Sequence, residues 1–215
     1  MLKYEPKSIK EKILNYIEDE EDDYVENYEE ISLTYNPKAS LETQAILNCC
    51  ELLIENYKPK EQRKLLDLGS GAGFVINPLK ADKKVAVDIS HNQLLRVSDD
   101  TTRIRANVEN LPIEDEYFNV VVCTDVFEHV KEERKLVSEI VRVLEPGGML
   151  LFACPWKQDL SVYDLPEYKK TFKQYKYVHL RSVDEKMIEE NFSEQFKQVS
   201  STTITVAVEQ MLFKP

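Results

Sequence analysis

The chain lacks the features that would place it in a membrane, in an oxidising compartment or on a charged polymer. No apolar run approaches the roughly 20 residues a helix needs to cross a bilayer, and the N-terminus shows no signal-type apolar segment. A cytoplasmic protein with no membrane partner is the expectation. Four cysteines (Cys49, Cys50, Cys123 and Cys154) form no C-x-x-C pair and have no histidine nearby at ligand spacing. Reduced thiols are therefore expected in place of a disulfide framework or zinc site, and no metal is expected. Positive charge is scarce as well. The 28 Lys+Arg against 39 Asp+Glu leave a net charge of −11, which repels phosphate backbones and argues against a nucleic-acid partner. No internal repeat is visible. The 215 residues, 42% hydrophobic and 31% charged, suit one sizeable soluble core better than two independent domains.

Glycine is also rare, with only five in the chain, yet three of them stand at every second position: Gly69, Gly71 and Gly73. They end an apolar run, residues 64–68, that reads as a short buried strand. A helical-looking stretch, residues 74–80, follows. A strand, a glycine loop and a helix N-terminus make a surface that a cofactor can approach at backbone distance. Fifteen residues past Gly73, Val85-Ala86-Val87-Asp88 is a second apolar strand ending in a carboxylate. An acid at that tip can accept both hydroxyls of a ribose, so the pair of features suits an adenosine-containing ligand. A dinucleotide fingerprint would read G-x-G-x-x-G, whereas the pattern here is G-x-G-x-G followed by Phe74. That spacing disfavours the alternative of a nicotinamide-dependent oxidoreductase.

The remaining elements alternate. Residues 8–17 carry Ile9, Ile13, Leu14 and Ile17 at helical spacing. Residues 18–30 hold nine acids in thirteen positions and read as a solvated helix, with a lid built on Tyr24 and Tyr28 as the sharper alternative. Residues 40–57 read as a helix with Leu41, Ala45, Ile46, Cys49, Leu52 and Leu53 on one face. Ser90 to Gln93 fits a capping box that opens a short helix to about Ser98, with His91 exposed on its first turn. Strands are expected at 102–106, at 118–124, where continuous apolar character indicates burial on both faces, and at 149–154. An amphipathic helix spans 131–144, with Leu136, Val137, Ile140, Val141 and Leu144 inward, and Glu145-Pro146-Gly147-Gly148 stops it. A helix at 183–192 and two closing strands, 196–200 and 204–213, complete the chain.

This order resembles the class I S-adenosylmethionine (SAM)-dependent methyltransferases. Asp67-x-Gly69-x-Gly71-x-Gly73 is similar to their first motif, Asn107-Val108-Glu109-Asn110-Leu111-Pro112 to the third and Thr124-Asp125-Val126-Phe127-Glu128-His129-Val130 to the fourth. Leu144 to Leu150 is similar to the turn before their fifth strand, and Tyr177-Val178-His179-Leu180-Arg181 resembles a segment of small-molecule members. The resemblance implies an α/β, doubly wound, Rossmann-like fold with a seven-stranded, mostly parallel sheet and an N-terminal helical extension. It divides the chain into residues 1–60 (extension or lid), 61–155 (SAM-binding core), 156–182 (substrate-side insertion) and 183–215 (closing helix and strands).

The family's roles carry over position by position. Gly69, Ser70, Gly71 and Gly73 would pass the methionine moiety and ribose of SAM, with Asp67 orienting the amino end. Asp88, with Ile89 beside it, would hold the ribose hydroxyls. Asn107 and the Val108 amide would meet adenine, and Thr124 would lie beside the sulfonium. Asn107 departs from the family's usual Asp: its amide oxygen still accepts a hydrogen bond but brings no charge. Methyl transfer to a small-molecule acceptor, with S-adenosylhomocysteine as product, is the implied activity. A catalytically silent binding protein of the same fold is the other alternative.

A sulfonium methyl needs mainly alignment, and a base helps only a poor nucleophile such as a hydroxyl. His129, just past the fourth strand, and His179 are the candidate bases, each with core packing as the plainer reading. Glu128 reads as an exposed helix acid, and Cys154 as a small residue at a strand end. Residues 156–181 carry six Lys or Arg and three acids, a local balance of +3 that leaves −14 elsewhere. With its aromatic residues, this stretch suits an anionic acceptor bearing a ring or sugar, and Trp156, Tyr177, His179 and Arg181 are the expected contacts.

Overall fold

A computed structural model describes residues 13–17, 25, 26, 28, 29, 41–56, 62–158, 160, 161 and 179–198. Its centre is a sheet in which every pairing is parallel. The strands are β1 (Ile13–Asn15), β2 (Lys64–Leu68), β3 (Lys83–Asp88), β4 (Thr102–Arg105), β5 (Phe118–Thr124) and β6 (Leu144–Ala153). Their spatial order is β1-β4-β3-β2-β5-β6. The sheet is thus six-stranded and wholly parallel among the described residues, not seven-stranded and mixed. The expected closing strand at 204–213 lies outside the described residues, and 196–198 take no strand conformation.

Side chains alternate along each strand, so a sheet covered on both faces needs two cores. Leu66, Leu68, Val121 and Cys123 point into one, with Leu136, Val137 and Ile140 of α3 (Glu133–Val143) and Phe192 of α4 (Glu185–Phe192) packed over them. Leu65, Val120 and Val122 point into the other, under Ile46, Cys50 and Ile54 of α1 (Leu41–Asn56) and Leu94 of α2 (His91–Leu94). Burying each such side chain stabilises the fold by about 1.5–3 kcal/mol. The three-layer arrangement explains why these strands read as unbroken apolar runs.

Four sequence expectations change. Ile13, expected on a helix, lies on β1, paired with Arg103 at the sheet edge. Ile13 enters one core while Leu14 packs against the other, which satisfies both apolar residues at strand period. Residues 74–80 form successive turns with no α-helix. Asn77 N–H still reaches Gly73 C=O at 2.9 Å, but Pro78 then removes the next donor and crowds the preceding turn. The buried stripe of α1 is Ile46, Cys50 and Ile54, four residues apart, and leaves Leu52 62% exposed. On α3, Val141 faces outward at 37% exposure in place of Val143.

The helix α3 does stop where the Glu-Pro-Gly-Gly turn was expected, and β6 begins at once. Phe118 pairs with Leu144 but Val120 with Met149, so residues 145–148 bulge out of the β5–β6 ladder. Ser90 caps α2 by accepting from Gln93 N–H at 3.2 Å, and Asp184 caps α4 by accepting from Met187 N–H at 2.9 Å. Among the described residues, no helix is long and apolar enough to cross a membrane.

Candidate active site

The strand order reverses at β2: β3 and β4 follow on one side, β5 and β6 on the other. Open parallel sheets bind ligands outside the carboxyl ends of their strands at such a reversal. The glycine loop leaves β2 at that point, and Gly69, Gly71 and Gly73 have φ of 66°, 50° and 80°. These left-handed values explain why the turn needs residues without a Cβ. The two leading glycines do different work. A Cβ at Gly69 would come 2.2 Å from Val126 Cγ2, so this glycine lets the loop pack against the segment after β5. A Cβ at Gly71 would meet no atom of the described residues within 4 Å; it would fill a cradle open to a ligand.

Two buried carboxylates flank that cradle. Asp67, on β2, is 2% exposed; burial first, then the charge of Asp88, pushes its carboxyl well above the ordinary range, and the Ile76 N–H opposes this. Asp67 Oδ2 and Ser70 Oγ are buried with no hydrogen-bond partner among the described residues. A ligand's ammonium beside Asp67 would supply both a donor and a compensating charge. Asp88, ending β3, accepts from Gly71 N–H and Ser90 N–H, each at 2.8 Å, one on each oxygen. Burial raises its carboxyl to about 6; the Ser90, Gly71 and Ile89 amides hold it down and Glu29 adds to the rise.

The sign of the resulting pH dependence follows. A carboxyl raised in the folded state contributes stability at low pH that is lost as pH rises through about 6. Binding of a polyhydroxyl ligand runs the other way, because it needs the charged acceptor. Affinity for SAM is expected to fall by up to about tenfold per pH unit below pH 6 and to level off above it. Titration calorimetry from pH 5 to 8 checks this, and a flat profile would remove Asp88 from the ribose role.

The rest of the carboxyl edge is built from loop residues. Asn107, two positions past β4, is exposed, and its Oδ1 accepts from Glu109 N–H at 2.8 Å. A second lone pair on that oxygen can serve a ligand amine. Val108 is buried and Ile89 half-buried, and the Ile89 carbonyl accepts from Arg105 Nε at 3.0 Å. Thr124 ends β5 half-buried, and Asp125 beyond it turns the chain at φ 54°. Cys154 sits half-buried just past β6, and burial, then Glu128 and Asp125, push its thiol up to about 12. It is not a thiolate nucleophile at neutral pH.

Past β5 the structure assembles a group that spacing alone does not reveal. Glu128 is not the exposed acid expected: it is 1% exposed, and its Oε1 lies 3.7 Å from His129 Nε2. His129 is itself buried, its ring edge-on to His179 with centroids 4.6 Å apart, and Tyr28 packs edge-on at 6.2 Å. His179 is half-buried, and burial lowers its pKa, which favours the neutral imidazole. Its Nδ1 bonds to Gln158 Oε1. Arg181 is tied inward: its guanidinium donates to the carbonyls of Phe127 and Lys131 and faces Glu133 at 3.2 Å, so an acceptor anion would compete with Glu133. Trp156 is 40% exposed and bridges Val183 in parallel. Tyr177 and most of the basic, aromatic stretch, 162–178, lie outside the described residues, as does Tyr24.

Sequence reasoning also passed over Glu29. Its carboxylate accepts from Ser90 Oγ at 2.8 Å and from the amides of His91 and Asn92, and pairs with Arg105 at 3.2 Å. It thereby caps α2 and holds the N-terminal segment beside Asp88. Within nine acids in thirteen residues, no local signal distinguishes this one. His91, expected to be exposed, is half-buried beside it.

Comparison with known proteins places this geometry. Residues 66–152 match the Methyltransf_11 family, described as "Methyltransferase domain". An uncharacterized protein of Methanocaldococcus jannaschii is 35% identical over 51% of this chain and 48% of its own. The ubiquinone/menaquinone biosynthesis C-methyltransferase UbiE of Vibrio parahaemolyticus is 34% identical over 47% of this chain and 46% of its own. The chain therefore spans about half the length of the curated relatives it matches. Among solved structures, the PH0226 protein of Pyrococcus horikoshii is 26% identical, with a TM-score of 0.51 over 68% of this chain and 69% of that one. The motif order, the parallel sheet and the glycine cradle at its reversal agree with these matches, and residues 66–152 are similar to a methyltransferase domain.

Proposed function

We propose that this protein transfers a methyl group from SAM to an oxygen or nitrogen atom of a small-molecule acceptor. The observation that carries the reading is the cradle at Gly71, open to a ligand and flanked by the buried Asp67 and Asp88 where the sheet order reverses. SAM supplies a methyl group already activated on a sulfonium, so displacement requires chiefly in-line alignment and exclusion of water. Asp67 Oδ2 and Ser70 Oγ meet the amino-acid end, and Asp88 accepts the ribose hydroxyls while its other lone pairs keep the loop amides. Asn107 Oδ1 and the Val108 amide read adenine. Thr124 sets the sulfonium end against the acceptor.

His129 and His179 stand on the acceptor side, past the end of β5, and are the groups that activate a hydroxyl or ammonium acceptor by easing loss of its proton. Trp156 contributes to the acceptor wall, and Tyr177, expected beside it from the sequence, lies outside the described residues. Arg181 is a positioning residue that holds the His179 segment against the loop after β5. A carbon acceptor is the second reading, favoured by the likeness to UbiE, whose name states C-methylation.

Two measurements test the proposal. SAM should raise the thermal midpoint by mass action, and NAD should not. Methyl transfer from labelled SAM into a metabolite extract should then yield a labelled small molecule whose methyl resonance is that of an O- or N-methyl group. A shift with NAD alone would overturn the reading. Label confined to nucleic acid or protein would overturn the acceptor class, and a C-methyl resonance would select the second reading.

A further inference from the structure

The structure brings Glu128, His129 and His179 together so that one ligand atom from each lies within 4.8 Å of the other two. We infer that this trio is a binding site for a first-row divalent cation at the acceptor end of the active site. The inference deepens the proposed methyl transfer and rests on it only for what the ion does there.

The donors are two imidazoles and a carboxylate. Nitrogen with oxygen in that ratio suits Mn²⁺, Fe²⁺, Co²⁺ or Zn²⁺, whereas Mg²⁺ and Ca²⁺ prefer oxygen alone. Donors bound at about 2.0–2.2 Å stand about 3.0–3.5 Å apart around one ion. The 3.7 Å between His129 Nε2 and Glu128 Oε1 is already close to that spacing.

The surroundings hold the donors in place. His179 Nδ1 is engaged by Gln158 Oε1, the kind of outer contact that fixes tautomer and ring orientation in a metal-binding histidine. Leu180 N–H donates to Glu128 C=O at 2.7 Å. The Arg181 guanidinium bonds the carbonyls of Phe127 and Lys131 on the same loop. Two segments fifty residues apart are thus stapled on both sides of the trio, and the ring contact between His129 and His179 follows from that staple.

Three protein donors leave coordination positions open on a cation. Glu128 lies four residues beyond Thr124, so the open side belongs to the acceptor. An acceptor hydroxyl bound there would have its pKa lowered, as metal-bound water does, and would release its proton to solvent, so the two histidines would ease that loss by holding the ion. Acceptors with two adjacent oxygens, able to chelate, fit such an ion best.

The test uses the full chain after EDTA treatment and dialysis, with Mn²⁺ followed by electron paramagnetic resonance and Zn²⁺ by calorimetry. One ion per chain is expected, Zn²⁺ should displace Mn²⁺, and bound Mn²⁺ should show nitrogen couplings from histidine. His179→Ala, at a half-buried position, and Glu128→Gln should each weaken binding at least about tenfold. SAM binding by the EDTA-treated wild type is measured in parallel. Absence of a stoichiometric ion, or equal affinity in folded His179→Ala, would overturn the metal site, the latter assigning the ion to the acidic surface. Loss of SAM binding alone would overturn the methyltransferase reading and leave the metal result standing.

Discussion

Asp88→Ala is expected to weaken SAM binding at least tenfold while the protein still folds. Two ribose hydroxyls donating to a carboxylate make charge-assisted bonds, each contributing roughly 1.5–3 kcal/mol. The structure adds a second route to the same loss. One Asp88 oxygen accepts from Gly71 N–H and the other from Ser90 N–H, so the carboxylate also ties the glycine loop to the end of β3. Alanine removes both ties and lets the cradle open. Asp88→Asn separates the two contributions, because its amide keeps one acceptor and turns an NH₂ group toward the other backbone N–H. Its affinity should fall between wild type and Asp88→Ala. Calorimetry with SAM, alongside circular dichroism as the check on folding, measures this. Wild-type affinity in folded Asp88→Ala would sink the cofactor assignment of this position.

The two glycines should respond in opposite ways. Gly71→Val is expected to abolish SAM binding with little loss of secondary structure. Its Cβ would meet no atom of the described residues within 4 Å, so the side chain occupies ligand space, and the φ of 50° adds strain of about 1–2 kcal/mol. Gly69→Ala is expected to act on the fold first. Its Cβ would overlap Val126 Cγ2 at 2.2 Å, and overpacking of that kind costs roughly 1–3 kcal/mol besides the strain at φ 66°. A fall of several degrees in Tm should follow for a chain of this size. Val126 lies two residues before Glu128, so the same variant should also disturb the acceptor side. Thermal unfolding and SAM titration of both variants separate the effects. Normal SAM binding by Gly71→Val would show that the loop is not the cradle.

How far the sequence carries differs from element to element. β2, β3 and β5 are legible because a strand buried on both faces must be apolar at successive positions, and glycine or aspartate marks its end. The capping residue Ser90 is legible because an N-cap is a contact between neighbours. β1 was not: Ile13 and Leu14 fit a helical stripe as well as a strand with one residue in each core, and only β4 alongside decides. The turns at 74–80 read as a helix in the sequence because their apolar spacing is helical despite Pro78. The stripe of α1 was misread for a related reason, since Leu52 and Leu53 are as apolar as the buried Ile46 and Ile54.

The sequence by itself determined the central strands and the glycine loop where the sheet order reverses. A left-handed φ demands glycine at Gly69 and Gly71, burial on two faces demands apolar strands, and an acid at a strand end needs only its place in the motif. Each of these is a local requirement written within a few residues. The cluster of Glu128, His129 and His179 was decided by tertiary structure. Glu128 reads as solvent-exposed from its own neighbours, yet it is 1% exposed, with His129 beside it and the Leu180 segment bonded to its carbonyl. His179 lies fifty residues from His129 and reaches it because β6 runs parallel to β5 and Arg181 pins the returning chain to Phe127 and Lys131. Convergence of that kind depends on where the crossovers put distant segments, which no spacing within the chain records.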